Sequence, residues 1–254
     1  MSARRRRPEE LWDLFPGENQ YSVTFSIVAA CTTPRVEPDQ YTDTIRGEVV
    51  NVAEDGSEER IGTLEAYRLR RDLAADDGVS FIDIADAFSA EACDYILQVF
   101  DERGNVRADV ERVLGEEPIW GPVLMAHTLQ IETAHRGHEL GYAVINSFIE
   151  TFEPGVGLVI ARAAPIDPPD LAPGETETPE YRLRRARGVQ KLREYWEAFG
   201  FVRVSPDSEF LAMNLWLVRP SLVQAIRGWR SRKRRRAGRG RPPNDSGRND
   251  GGIH

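Results

Sequence analysis

The stretch GVGLVIARAAP, residues 155 to 165, is apolar almost without interruption. A strand of that composition is covered on both faces, because a half-buried strand alternates apolar with polar residues. A second stretch, VLMAHTLQIET (123–133), reads as another buried strand. Between them, ELGYAVINSFIETF sets Leu140, Ala143, Val144, Ser147, Phe148 and Thr151 at i, i+3, i+4 spacing, the pattern of a helix packed on a sheet. The expected fold is α/β, a central sheet flanked by helices.

The remaining elements follow from local chemistry. YSVTFSIVAAC (21–31) is rich in β-formers and reads as the first strand, and CTTPRVEPDQ as a loop around Pro34 and Pro38. Residues 44–71 form two strands joined at Asp55-Gly56, a hairpin signal. The short apolar run VSFIDIADAF leads into a helix in SAEACDYILQVFDERG, where Ser89 caps and Ala92, Tyr95, Ile96, Val99 and Phe100 fall at helical spacing. A weaker helix follows in VRADVERVLG. Residues 164–187 carry Pro165, Pro168, Pro169, Pro173 and Pro179 and read as a polar insertion, either a lid or a plain surface excursion. GVQKLREYWEAFGF is a helix stopped by Gly200, and FVRVSPDSEFLAMNLWLV two final strands around SPDSE.

The ends differ from the body. Residues 1–19 read as a disordered arginine-rich arm, residues 20–218 as a single domain, and residues 219–254 as a basic, mostly disordered tail that starts helical in SLVQAIRGWR. The net charge of −8 conceals +8 over residues 220–254 and −16 over the rest. The arginine run from Arg227 to Arg241 suits nucleic acid or an acidic partner, or can fold back on the acidic body. Cys31 and Cys93 stand too far apart to imply a disulfide framework, so a reducing compartment is expected. No apolar run approaches the roughly 18 residues that cross a bilayer, and none follows the basic start as in a secretory signal. The expectation is a soluble, cytoplasmic protein without a membrane span.

The turn before the central helix reads Arg136-Gly137-His138-Glu139-Leu140-Gly141. A helix start leaves backbone N–H groups unpaired and carries about half a positive charge, and glycines let the main chain close around a phosphate. Glu139 stands where the anion would sit. Two unit charges ~4 Å apart repel by roughly 4 kcal/mol at an effective dielectric near 20. Alternatively its side chain turns away and favours the helix start. His135 and His138 share no helical face and have no completing carboxylate, so no metal site is expected.

Strand, Arg-Gly turn, helix, strand, helix ending in Gly-Phe, strand: over residues 120–217 this order resembles the GNAT superfamily of acyl-coenzyme A N-acyltransferases. Its Arg-x-x-Gly-x-Gly/Ala signature, in the form Arg-Gly-x-Gly-x-Gly, corresponds to Arg136 through Gly141, with Glu139 replacing the middle glycine. The aromatic pair with Gly-Phe is Tyr195-Trp196 with Gly200-Phe201. The resemblance implies a GNAT-like mixed sheet and acetyl transfer from acetyl-CoA to an amine acceptor, a small molecule or a protein. It implies that Arg136, Gly137, His138, Glu139, Leu140, Gly141 and Tyr142 hold the pyrophosphate, and that the main chain of Leu129 and Ile131 holds pantetheine or the acyl carbonyl. His127, nine residues before Arg136 and by alternation on one face with Met125, Leu129 and Ile131, stands where the family places a base; a half-buried strand histidine is the alternative. Glu132 is a secondary candidate base. At the family's proton-donating tyrosine position stands Trp196; Tyr195 is the neighbouring hydroxyl, about 100° around the helix. The acidic body suits a cationic amine. A reading of another class is a catalytically silent scaffold that binds protein or nucleic acid.

Overall fold

The computed structural model describes residues 20–29, 37–165 and 176–239. The arm 1–19, the end of the tail and the proline-rich residues 166–175 lie outside the described residues. Seven strands form one mixed sheet: β1 (Gln20–Val28), β2 (Thr42–Val52), β3 (Glu58–Leu69), β4 (Val123–Ile131), β5 (Leu158–Arg162), β6 (Val202–Arg203) and β7 (Phe210–Asn214). Their order is β1-β2-β3-β4-β5-β7-β6, and every neighbouring pair is antiparallel except β4 with β5. The hairpin at Asp55-Gly56 joins β2 to β3 as expected, Gly56 taking a φ of +79°.

Among the described residues seven α-helices cover the sheet. Between β3 and β4 lie α1 (Arg71–Asp76), α2 (Phe81–Phe88), α3 (Ala90–Val99) and α4 (Ala108–Leu114). The crossover from β4 to β5 is α5 (Leu140–Phe152), and from β5 to β6 it is α6 (Pro179–Phe199); α7 (Leu222–Arg239) ends the described chain. Ser80 and Ser89 cap α2 and α3, their hydroxyls accepting from the amides of Asp83 and Ala92. Two cores result. One face packs Leu124, Leu140, Ile145, Phe148, Val159, Phe199 and Leu211 with α5, α6 and α7. The other packs Leu69, Ile84, Tyr95, Ile96, Met125, Ile160 and Phe210 with the helices from the β3–β4 connection. β4 and β5 contribute to both, as their unbroken apolar runs require.

Two sequence boundaries move. The helix ending at Gly200 begins at Pro179, so residues 179–187 are its first turns and not part of an insertion. Thr178 caps it, accepting from the Tyr181 amide at 3.1 Å, with Pro179 in the first turn where a missing N–H costs nothing. That half of the helix carries arginines in place of an apolar stripe, which hid it from a periodicity reading. The segment from Leu222, expected to dissolve soon after a helical start, stays helical to Arg239. Val223, Ala225, Ile226 and Trp229 are buried against the α5 and α6 core, and that burial holds the helix in place. Among the described residues no helix is long and apolar enough to cross a membrane.

Candidate functional site

The site is organised by a discontinuity in β4. Glu65 of β3 pairs with Thr128, but the next residue, Ala66, pairs with Ala126, so His127 is an extra residue on β4. A bulge of this kind reverses the alternation beyond it. Leu129 and Ile131 therefore turn to the α5 face with Leu124 and Ala126, while His127 stays on the Met125 face. The expected shared face for His127, Leu129 and Ile131 is corrected accordingly. At the same point β4 leaves β5: the parallel pairing covers Val123–Ala126 with Leu158–Ala161 and goes no further, although β4 runs on to Ile131.

His127 lies among groups from the β3–β4 helices. Its ring is 5.3 Å from that of Tyr67 and 6.3 Å from that of Tyr95. Its Nδ1 is buried 3.4 Å from Glu91 Oε1, near enough to pair when protonated but outside hydrogen-bond geometry. Burial, then the nearby Glu65 and Glu91, push the Tyr67 phenol up to about 12. Burial first, then Glu91, also push the Tyr95 phenol up. Both tyrosines therefore stay neutral and pack against the imidazole ring. Glu132 is exposed, its amide tied to the Ile61 carbonyl. Five extended residues put it about 16 Å along the chain from His127. The structure brings Glu91, not Glu132, to the histidine, a pairing that only the packing of α3 on the sheet discloses.

Beyond β4 a short 3-10 turn, Thr133–His135, leads to the Arg136–Gly141 segment. Arg136 bonds back through Nε to the Ile131 carbonyl at 2.7 Å. Gly137 has a φ of +91°, and Glu139 takes left-handed backbone at φ 58°. Glu139 makes no side-chain cap to α5. Its carboxylate is buried and paired instead with Arg230 of α7, Nη2 to Oε2 2.9 Å. The repulsion expected of Glu139 is thereby largely neutralised by a cation from the tail, and the helix-start N–H groups carry no carboxylate cap. His138 is exposed; Leu140 and Tyr142 are buried.

Tyr195 lies on this α5 face, across the sheet from His127. Its ring stacks on Tyr142 at 3.8 Å, and its carbonyl accepts from the Tyr142 hydroxyl at 2.6 Å. Its own hydroxyl is enclosed over Gly141, where an added Cβ would meet it at 2.8 Å. Burial raises its pKa well above the ordinary phenol range. Tyr195 therefore packs the α5–α6 contact, and Gly141 makes room for it. Trp196 and Trp229 complete the aromatic cluster, the latter edge-on to Tyr195 at 5.3 Å.

On the His127 face, Ala126 pairs with Ala161, so Arg162 is the next residue across the divergence. Arg162 and Arg185 both grip Glu209, with Arg185 Nη2 to Oε2 at 2.9 Å and Arg162 Nη2 to Oε2 at 3.3 Å. None of these three stood out in the sequence; the charge in the otherwise apolar run of β5 was the available signal for Arg162, and Arg185 and Glu209 gave none. Among the described residues no cluster of three or more His, Cys, Asp or Glu is placed to hold a metal ion. No protein-family model matches this chain, and no curated protein matches its sequence.

Proposed function

We propose that this protein is a GNAT-type N-acyltransferase that moves an acetyl group from acetyl-CoA to an amine. The observation that carries the reading is the succession of three features along one stretch of chain: the bulge at His127, the parting of β4 from β5 after Ala126, and the Arg136–Gly141 turn opening α5. Main-chain N–H groups of residues 137–141, at a helix start without a side-chain cap, suit a pyrophosphate, while those of Arg136 and Tyr142 are taken by the Thr133 and Glu139 carbonyls. The Arg230 partner of Glu139 offsets the one carboxylate there. The β4 edge at Leu129 and Ile131 offers main-chain groups to the acyl carbonyl, the oxyanion-type support that thioester attack needs.

His127 takes the proton as the amine nitrogen bonds to the acyl carbon and the carbon–sulfur bond breaks, and Glu91 stabilises the resulting imidazolium. The leaving thiolate is protonated by water, since Tyr195 is committed to packing. With only two cysteines, Cys31 and Cys93, 62 positions apart in the sequence, the setting that fits this reading is a reducing cytoplasm. Thiol release with acetyl-CoA and an amine series tests the proposal: His127→Ala should lower kcat/KM at least about a hundredfold with acetyl-CoA binding retained. Unchanged turnover would remove His127 from the mechanism.

One observation favours a silent scaffold. The Glu139–Arg230 pair and the Tyr195 hydroxyl over Gly141 fill the helix start with protein groups. On that reading the exposed arginines of α7 meet a nucleic acid or acidic partner. Thermal unfolding with acetyl-CoA separates the two. A ligand at 100 times its Kd adds about 2.7 kcal/mol of stability. No shift at millimolar concentration would favour the scaffold.

A further inference from the structure

Five large apolar residues stand bare at one end of the sheet: Val113 near the end of α4, Trp120 before β4, and Trp216, Leu217 and Val218 after β7. The two segments they come from are tied together. Asn214, buried, accepts from the Trp216 amide at 3.0 Å and donates to the Glu116 carbonyl at 3.1 Å. Leu217 lies over Gly115, 3.5 Å from where a Cβ would stand. Gly157 is packed against the Ile119 carbonyl and accepts from the Leu215 amide, so Trp120 and Trp216 each follow a residue held on that one glycine. The five therefore make one surface, which single scattered apolar residues would not.

Trp120 is held in this position. One face of its ring stacks on the guanidinium of Arg71, with Cζ 3.4 Å from the ring centroid. Arg71 is buried, its Nε has no hydrogen-bond partner, and Phe100 stands 5.1 Å from the same Cζ. The aromatic faces are what stabilise that charge, so Trp120 is fixed in place by the group it covers. A tryptophan bare on its outer side and pinned on its inner side loses little freedom when a partner covers it, and such side chains anchor interfaces.

Area and reach select the occupant. Trp120 is 52 % exposed and Trp216 67 %. At about 200 Å² for a free tryptophan side chain, the two leave about 240 Å² bare. With Val113, Leu217 and the fully exposed Val218 the patch comes to about 500 Å², near the top of what a monomer carries. A second copy set on it by a twofold axis would bury about 1,000 Å² in all, where specific interfaces begin. The chain's own apolar arm segment does not reach it. The farthest of Leu11, Trp12, Leu14 and Phe15 is nine residues before Gln20, a reach of at most about 32 Å. Gln20 stands level with Val52 and Glu58 past Ile131, whereas the patch adjoins Val123, Leu158 and Asn214 at the other end. That is about 40 Å along the strands and about 24 Å across them. We propose that this surface is the twofold interface of a homodimer, anchored by Trp120 and Trp216. The Arg136–Gly141 turn follows the opposite end of β4, so the pairing leaves it open in both copies. The inference stands whether or not the acyltransferase reading does.

Sedimentation of the full chain across the micromolar range tests it. The mass should rise with concentration from 28.7 kDa toward twice that value. Trp216→Asp should raise the dimer dissociation constant by about thirtyfold or more, the loss expected of an anchor. Val218→Asp, at a position with no packing to lose, should weaken the dimer in the same direction and keeps the test sound if the first variant misfolds. The same chain labelled with fluorotryptophan locates the contact. On dilution the Trp120 and Trp216 fluorine resonances should shift, and those of Trp196 and Trp229 should not. A monomer throughout the range, or a dimer equally tight in both variants, would overturn the proposal. So would a shift of Trp12 in place of Trp120 and Trp216, which would put the arm at the contact instead.

Discussion

Gly141 illustrates how one residue serves a role other than the one its motif suggests. The glycine-rich turn implied that a Cβ there would crowd a phosphate. In the fold, the first obstacle is the Tyr195 hydroxyl, 2.8 Å from where that Cβ would stand. The hydroxyl belongs to a ring stacked on Tyr142, so it has little room to yield. Gly141→Ala should therefore destabilise the protein by about 1–3 kcal/mol, the usual cost of overpacking. Tyr195→Phe removes the obstructing oxygen and should recover most of that loss, measured as a non-additive term in urea unfolding of the four variants. Additive costs would show that the glycine is not there for Tyr195, and a phosphate role would regain its claim.

At the scale of elements, the sequence disclosed strands and helices wherever burial imposed a period. The β2–β3 hairpin, β4, α5 and β5 follow from alternation, turn chemistry and apolar runs. What escaped reading depended on distant partners. The bulge at His127 arises from register against β3, and it reversed the face expected for Leu129 and Ile131. The α7 helix looked like solvated arginine because its inner face, Val223, Ile226 and Trp229, is sparse and needs α5 and α6 to complete it. Glu139 and Arg230 lie 91 residues apart, so no local pattern could pair them. That pair makes an asymmetric prediction. Arg230→Ala leaves a buried carboxylate alone and should cost about 2 kcal/mol. Glu139→Gly removes the buried charge and the left-handed strain, worth about 1 kcal/mol, and should be nearly neutral. Denaturant unfolding giving equal costs would mean that the ion pair does not hold α7 to the turn.

For the whole molecule, Glu209 is the point where β5, α6 and the β7 approach are tied together through Arg162 and Arg185. Burial works against its ionised form, but the two arginines outweigh it, and the net effect lowers its pKa below the ordinary glutamate value. As pH falls, the unfolded chain binds this proton before the folded one does. The stabilisation is therefore complete above the unfolded value of about 4.3 and is lost as pH drops through the lower folded value. Glu209→Gln keeps the shape and removes the charge, so it should lower stability by about 2 kcal/mol near neutrality. The gap from wild type should hold above pH about 5 and close steadily below about 4. Thermal unfolding of both proteins across that range measures it directly. Other carboxyls held low, such as Asp55 and Asp101 in exposed turns, titrate alike in both proteins and cancel from the difference. A gap that stayed constant into acid would show that Glu209 is not charged in the fold, and the tie between β5 and α6 through it would lose its electrostatic basis.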